Sequence, residues 1–241
     1  MKIDFLDRGF ATEGTLVIGA FEGKKLQGIA ADVDKKTDGS LTRAIAAKDF
    51  KGKKDEAIRL IAPNGLKISE IILFGLGKES DITPLSLEEL GAKVTAALER
   101  CKDKSAFIHF PALSTKTLDE NTATAHVAYG ALLRTWKFDK YQTKKKDQPA
   151  CALKTLGFMT DSPKAAKKAF EPLNHIAEGV FLTRHVDSEP PNVIYPESLA
   201  KIAKDLKKLG VGVEVLNESQ MKTLGMNARL GVGQGSIRDS Q

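Results

Sequence analysis

The sequence predicts an α/β fold: a layered N-terminal α/β domain with a mixed sheet, a connecting helix, and the start of a second α/β domain. Three observations carry that prediction. Apolar runs of strand length alternate with longer stretches whose apolar residues recur at helical spacing, the pattern of strands joined by helices in a layered domain. Two neighbouring runs are separated by Asn64-Gly65, a strong hairpin signal, so one strand pair is expected to be antiparallel. Finally, Pro190-Pro191 stops one helical pattern and Pro196 starts another, dividing the first alternation from a fresh one.

Taken in order, GTLVIGAF (14–21), EAIRLIAP (56–63) and SEIILFGLG (69–77) read as strands. After Thr83-Pro84, Leu87, Leu90, Val94 and Leu98 share one helical face. SAFIHF (105–110) is a short buried strand, residues 119–136 a helix, and CALKTLGFM (151–159) a further strand. Ser162 and Pro163 then form a helix start, as N-cap and first helical residue. Phe170, Leu173 and Ala177 hold an apolar face through a long helix that Pro172 is expected to kink or restart. Pro196 opens an amphipathic helix closed by Gly210, followed by a strand at 211–216 and a short capped helix in NESQMKTLG. The domain organisation expected is therefore 1–160, a connecting helix at 161–190, and 191–241 as the beginning of a second, incomplete domain.

Composition narrows the function. With 41% hydrophobic residues the 241-residue chain can bury a core, and no apolar run reaches the length of a membrane span. The first residues lack a signal-peptide core, and two cysteines, Cys101 and Cys151, fit a reducing compartment, so a cytoplasmic location is expected. The net charge of +6 is concentrated in RTWKFDKYQTKKKDQ (134–148). A basic run interleaved with Trp136, Phe138 and Tyr141 suits DNA, but a helix end and solvated loop, with Trp136 and Tyr141 turned to the core, explains it without a partner. The second reading is preferred, because no basic stripe or nucleic-acid motif accompanies the run.

Motifs tested by spacing give no assembled site. LFGLGKES (73–80) has Ile72 where a P-loop needs Gly and Glu79 where it needs Ser or Thr. GVGQGS (231–236) lacks the third glycine of a dinucleotide fingerprint and reads as a tight loop; Ser236 has no GxSxG elbow around it. Glu171, His175 and Glu178 share a helical face and could present three metal ligands, but any solvated polar face has that spacing. His185 does not converge with His175, and His109 and His126 read as core or boundary residues.

Three stretches nonetheless resemble the leucyl aminopeptidase family of dinuclear metallopeptidases. SEPPNVIYPESLA resembles its Asn-x-Pro-Pro-Asn, Pro-x-x-Leu-Ala segment, LGMNARLGVGQGS (224–236) its Leu-Gly-Met, Gly-x-Gly-Gln-Gly-Ser loop, and GALLRTWKFDKYQTKKK (130–146) a stretch of its N-terminal domain. Ser188 stands where the family usually has Asn, and Asn227 and Arg229 interrupt a normally small, apolar stretch. The resemblance implies a macro-like N-terminal domain in a cytoplasmic homo-hexamer that removes N-terminal residues such as Leu from peptides. It further implies two divalent ions, Mn or Zn, whose bound hydroxide attacks the scissile carbonyl. The family's metal and catalytic motifs have no counterpart in this chain, so no catalytic, cofactor-binding or metal residue is assigned, and the chain alone is expected to be inactive. The alternatives are a basic DNA-binding module, and a stand-alone regulatory or nucleotide-binding domain.

Overall fold

In the computed structural model of the chain, which describes residues 1–113, 115, 118–143 and 152–241, one mixed sheet is built from β1 (Lys2–Asp7), β2 (Thr15–Ala20), β3 (Ala57–Ile61), β4 (Glu70–Gly75), β5 (Ser105–His109) and β6 (Thr155–Thr160). The strand order is β1-β6-β5-β2-β4-β3. Every neighbouring pair is parallel except β3 with β4. That exception is the expected hairpin, with Asn64-Gly65 at the centre of a Pro63–Leu66 turn (Leu66 N–H to Pro63 O, 3.4 Å) inside the longer loop 62–69.

The central strands are apolar on both faces because both faces are covered, as parallel sheets require. On one side Leu16, Ile18, Ile71 and Leu73 join Ile29, Ala30, Val33 and Leu41 from α1 (Ile29–Lys36) and α2 (Ser40–Lys48). Phe107 and Met159 pack against that cluster. Ile108 and Phe158, one residue away on each strand, therefore point to the opposite face, where they meet Val127 of α4 (Glu120–Arg134). The Phe5 ring of β1 packs in tilted contacts at 5.8 Å from Phe158 and 5.5 Å from Phe170 of α5 (Pro163–Ser188).

α4 packs along α3 (Pro84–Leu98), and the starts of both helices are fixed by side chains. Thr83 Oγ1 accepts from Ser86 N–H (3.1 Å) while Ser86 Oγ accepts from Thr83 N–H (2.8 Å). Asp119 accepts from the N–H groups of Asn121 and Thr122 at the head of α4. Between the two helices the backbones touch. A Cβ on Gly91 would lie 1.9 Å from Val127 O, and one on Gly130 would lie 1.9 Å from Glu88 O. Thr95 Oγ1 bridges the same seam to Ala131 O at 3.3 Å.

The backbone divides into two compact units, Met1–Gly179 and Val180–Gln241. In the second, α6 (Pro196–Asp205) continues as a 3-10 turn, Leu206–Leu209, that Gly210 ends in the left-handed region at φ 82°. α7 (Glu218–Thr223) has a reciprocal Asn217–Gln220 cap with two 2.9 Å bonds, and α8 (Asn227–Gly233) follows. Met221 is buried, Arg238 lies 3.6 Å over the Tyr195 ring, and Glu218 accepts from Ser240 N–H at 3.0 Å.

Several expectations need correction. Residues 211–216 are not a strand: a strand needs a neighbour for its backbone groups, and the described residues of the second unit contain none. Residues 231–233 are the last turn of α8 and not part of a tight loop, because Met226 O captures Leu230 N–H and starts helical bonding. α5 passes through Pro172 without restarting. β1, α1 and α2 occupy segments given no element from sequence. The strand expected at 151–159 runs instead from Thr155 to Thr160, and Cys151 and Lys144 to Lys146 lie outside the described residues. Tyr141 does not turn to the core; it is exposed, with Trp136 and Phe138 stacked beside it.

Candidate functional site

Parallel strands deliver their carboxyl ends to one edge of a sheet, where open α/β folds gather functional side chains. Here that edge brings together residues far apart in sequence. Arg8 follows β1, His109 closes β5, Asp161 follows β6, and Glu120 begins α4. The Arg8 guanidinium donates to Glu120 and contacts Asp161 (Nε to Oδ1, 2.8 Å) and the His109 ring (Nη1 to Nε2, 3.4 Å). His109 is buried, and its Nδ1 has no well-formed hydrogen bond among the described residues. Burial first, and the Arg8 charge second, hold its pKa below the usual value, so the ring is neutral near pH 7. A cation held between two carboxylates, backed by a neutral imidazole, ties three strand ends together; it presents no activated nucleophile.

Two further regions lie along this edge. In LFGLGKES the backbone N–H groups are consumed by protein carbonyls: Gly75 N–H bonds Glu56 O and Gly77 N–H bonds Gly52 O, both at 2.9 Å. A Cβ on Gly75 would strike Lys53 O at 2.0 Å. These glycines therefore permit two backbones to touch and do not cradle a phosphate. Beside them, a cleft of about 700 Å³ opens between residues 20–26 and 50–53. Its only sequence signal was two pairs of lysines, each next to a glycine, in segments without periodicity.

The residues singled out from sequence are scattered. His175 Nδ1 lies 3.6 Å from Glu178 Oε2, both well exposed, while Glu171 and His175 border a separate cleft beside β1. Among the described residues no three His, Cys, Asp or Glu side chains are grouped to hold a metal ion. His126 Nδ1 meets Glu88 Oε1 at 2.9 Å between α4 and α3. His185 lies 3.4 Å from the buried carboxylate of Glu189. Ser236 Oγ accepts from Arg238 N–H at 3.0 Å, which commits it to a local turn. In the basic run, Arg134 and Lys137 each lie 3.5 Å from Glu99, which offsets part of the charge that DNA would need.

Known proteins give these observations a frame. The family model described as "Cytosol aminopeptidase family, N-terminal domain" matches residues 17–145, and that for the family's catalytic domain matches residues 181–241. A probable cytosol aminopeptidase of Bradyrhizobium sp. strain BTAi1 is 38% identical over 100% of this chain and 48% of its own length. One from Rhodopseudomonas palustris strain TIE-1 is 39% identical over 98% of this chain and 47% of its own length. The chain thus spans about half the length of the curated relatives it matches. Among solved structures, a mutant tomato leucine aminopeptidase superposes with TM-score 0.83 at 23% identity, over 100% of this chain and 49% of that one. The bottromycin maturation enzyme BotP, in complex with Mn, superposes with TM-score 0.70 at 16% identity, over 93% of this chain and 43% of that one. With residues 17–145 and the stretch from 181 onward matched in the same order, the chain belongs to the cytosol aminopeptidase family.

Proposed function

We propose that the chain is the N-terminal portion of a metal-dependent leucyl aminopeptidase, which removes N-terminal residues from peptides as a cytoplasmic homo-hexamer. The observation that carries the reading is the consecutive match to the family's N-terminal and catalytic domains, at about half the relatives' length. On this reading residues 1–160 are the N-terminal domain, 161–190 the connecting helix and 191–241 the beginning of the catalytic domain.

Two divalent ions, manganese or zinc, belong to the proposal. The donor set found here does not fit them: the described residues group no three ligands, and His175 with Glu178 is an exposed pair on one helix turn. No step of hydrolysis is therefore assigned to residues of this chain, and the metal-binding and catalytic groups are proposed to come from catalytic-domain sequence beyond it. What these residues contribute is the layered domain and the helix leading from it.

The test is hydrolysis of leucine p-nitroanilide with added Mn²⁺ or Zn²⁺. Residues 1–241 alone should be inactive, and a protein in which a complete catalytic domain of the family continues from residue 181 should be active. Metal-stimulated turnover by 1–241 that disappears in His175→Ala, or an inactive longer protein, overturns the reading.

A further inference from the structure

The cleft between residues 20–26 and 50–53 has no part in peptide hydrolysis as proposed above, yet it is shaped and charged as a binding site. Its volume, about 700 Å³, falls within the range of small-molecule sites. It lies at the carboxyl end of β2. From there the chain runs through α1 and α2, and the segment 50–53 that precedes β3 returns to form the opposite wall. The carboxyl ends of the strands are where open α/β sheets bind ligands.

The lining has two characters. Phe21, Leu26, Ile45 and Phe50 supply an apolar floor, and Lys24, Lys25, Lys51 and Lys53 stand on both lips. Two carboxylates, Glu22 and Asp34, also line the cleft, but Asp34 is engaged by the backbone N–H (2.9 Å) and hydroxyl of Thr42. Lys24 pairs with Glu79 and Lys51 with Asp49, in exposed pairs that hold a lysine weakly. Lys25 and Lys53 have no ion pair among the described residues. Lysine on opposite lips suits a ligand with several negative charges, since a strongly hydrated point charge reaches phosphate oxygens without fixed geometry. An apolar floor beneath them suits a flat, weakly polar group on the same molecule.

We infer that this cleft binds a nucleoside phosphate, its phosphates held by Lys25 and Lys53 and its base laid on the Leu26–Phe50 floor. The site is independent of the peptidase reading, and a failure of either leaves the other standing.

The experiment is titration of protein containing residues 1–241 with ADP, followed by calorimetry and by amide chemical shifts, with pyrophosphate and adenosine as separate probes. ADP should bind saturably and tighter than either fragment, with shifts concentrated at residues 20–26 and 50–53. Both lysine side chains are exposed, so K25E/K53E should stay folded by circular dichroism. It should weaken ADP binding by about tenfold or more, while K25R/K53R retains it. Absence of saturable ADP binding overturns the inference, as does equal affinity in a folded K25E/K53E. Pyrophosphate binding as tightly as ADP, or shifts confined to residues 134–143, overturns it equally.

Discussion

Replacing Gly130 by alanine tests the seam between α3 and α4 directly. In an open helix position that change is favourable by about 1 kcal/mol, because alanine loses less backbone entropy. At Gly130 the new Cβ would stand 1.9 Å from Glu88 O, 2.5 Å from Glu88 C and 2.6 Å from Glu88 Cα. All three atoms are backbone, so no side chain can swing aside. Ordinary contact needs about 3.5 Å, so the helices must separate by roughly 1.5 Å. A gap of that size forfeits a large part of the dispersion energy along the seam, and overpacking of this kind typically costs about 1–3 kcal/mol. The strain exceeds the propensity gain, and the expected net loss is roughly 1 kcal/mol, or about 2–4 °C in Tm for a chain this long. Gly179 in α5 is the internal control: a Cβ there meets nothing within 4 Å. Gly179→Ala should therefore stabilise by up to about 1 kcal/mol. Thermal and urea unfolding of both variants by circular dichroism decides the matter. If Gly130→Ala melts at or above the parent temperature, the close backbone contact between α3 and α4 is wrong.

The remaining predictions concern titrating groups. Cys101 donates to Glu70 Oε2 at 3.0 Å, and burial followed by that carboxylate pushes its pKa up to about 11. In a Cys151→Ser background, iodoacetamide at pH 8 should label Cys101 at least about a hundredfold more slowly in the native state than in urea; equal rates would contradict its burial. His109 has a folded-state pKa below its ordinary 6.5, so the unfolded chain binds the proton more readily. Its contribution to stability is complete above pH 6.5 and is lost as the pH falls below that value. The groups facing it are Arg8 and, around Arg8, Asp161 and Glu120. His109→Gln should accordingly flatten the pH dependence of urea midpoints between about pH 6.5 and 5, and parallel curves for parent and variant would exclude the assignment.

The strands buried at every residue are the plainest in sequence, whereas half-exposed β3 is legible beside its Asn-Gly turn. β2 and β4 are buried at every residue and stand out as unbroken apolar runs. β1, KIDFLD, mixes exposed and half-buried positions at the sheet edge, and its charged residues conceal it. α1 and α2 escape notice because each follows a glycine without a side-chain cap and carries few large apolar residues. The error at 211–216 has the opposite cause: Val211, Val213 and Val215 alternate well, but alternation only creates a strand where a partner exists. The Arg8 cluster was illegible for a different reason. Arg8, His109, Glu120 and Asp161 carry no motif, and only the parallel register of β1, β6 and β5 brings them to one edge. The Pro-Pro turn and the Gly-Gln-Gly-Ser segment pointed to the family without containing any of its chemistry.

The pairing of β1 with β6 also sets an order of events during synthesis. Lys2 is the partner of Thr155 and Asp7 of Thr160, so β1 must wait for a stretch of about 150 residues before its ladder can form. At the usual pace of translation that delay is on the order of 10–30 s, long compared with the closing of the β3–β4 hairpin. Throughout it, a nascent strand with free backbone groups is open to pairing with another chain. Lys2, Asp4 and Asp7 put charges at intervals along that strand, and charge is a recognised deterrent to edge pairing. The polarity that hides β1 from a pattern search thus guards the ribosome-bound chain against aggregation until its proper neighbour emerges.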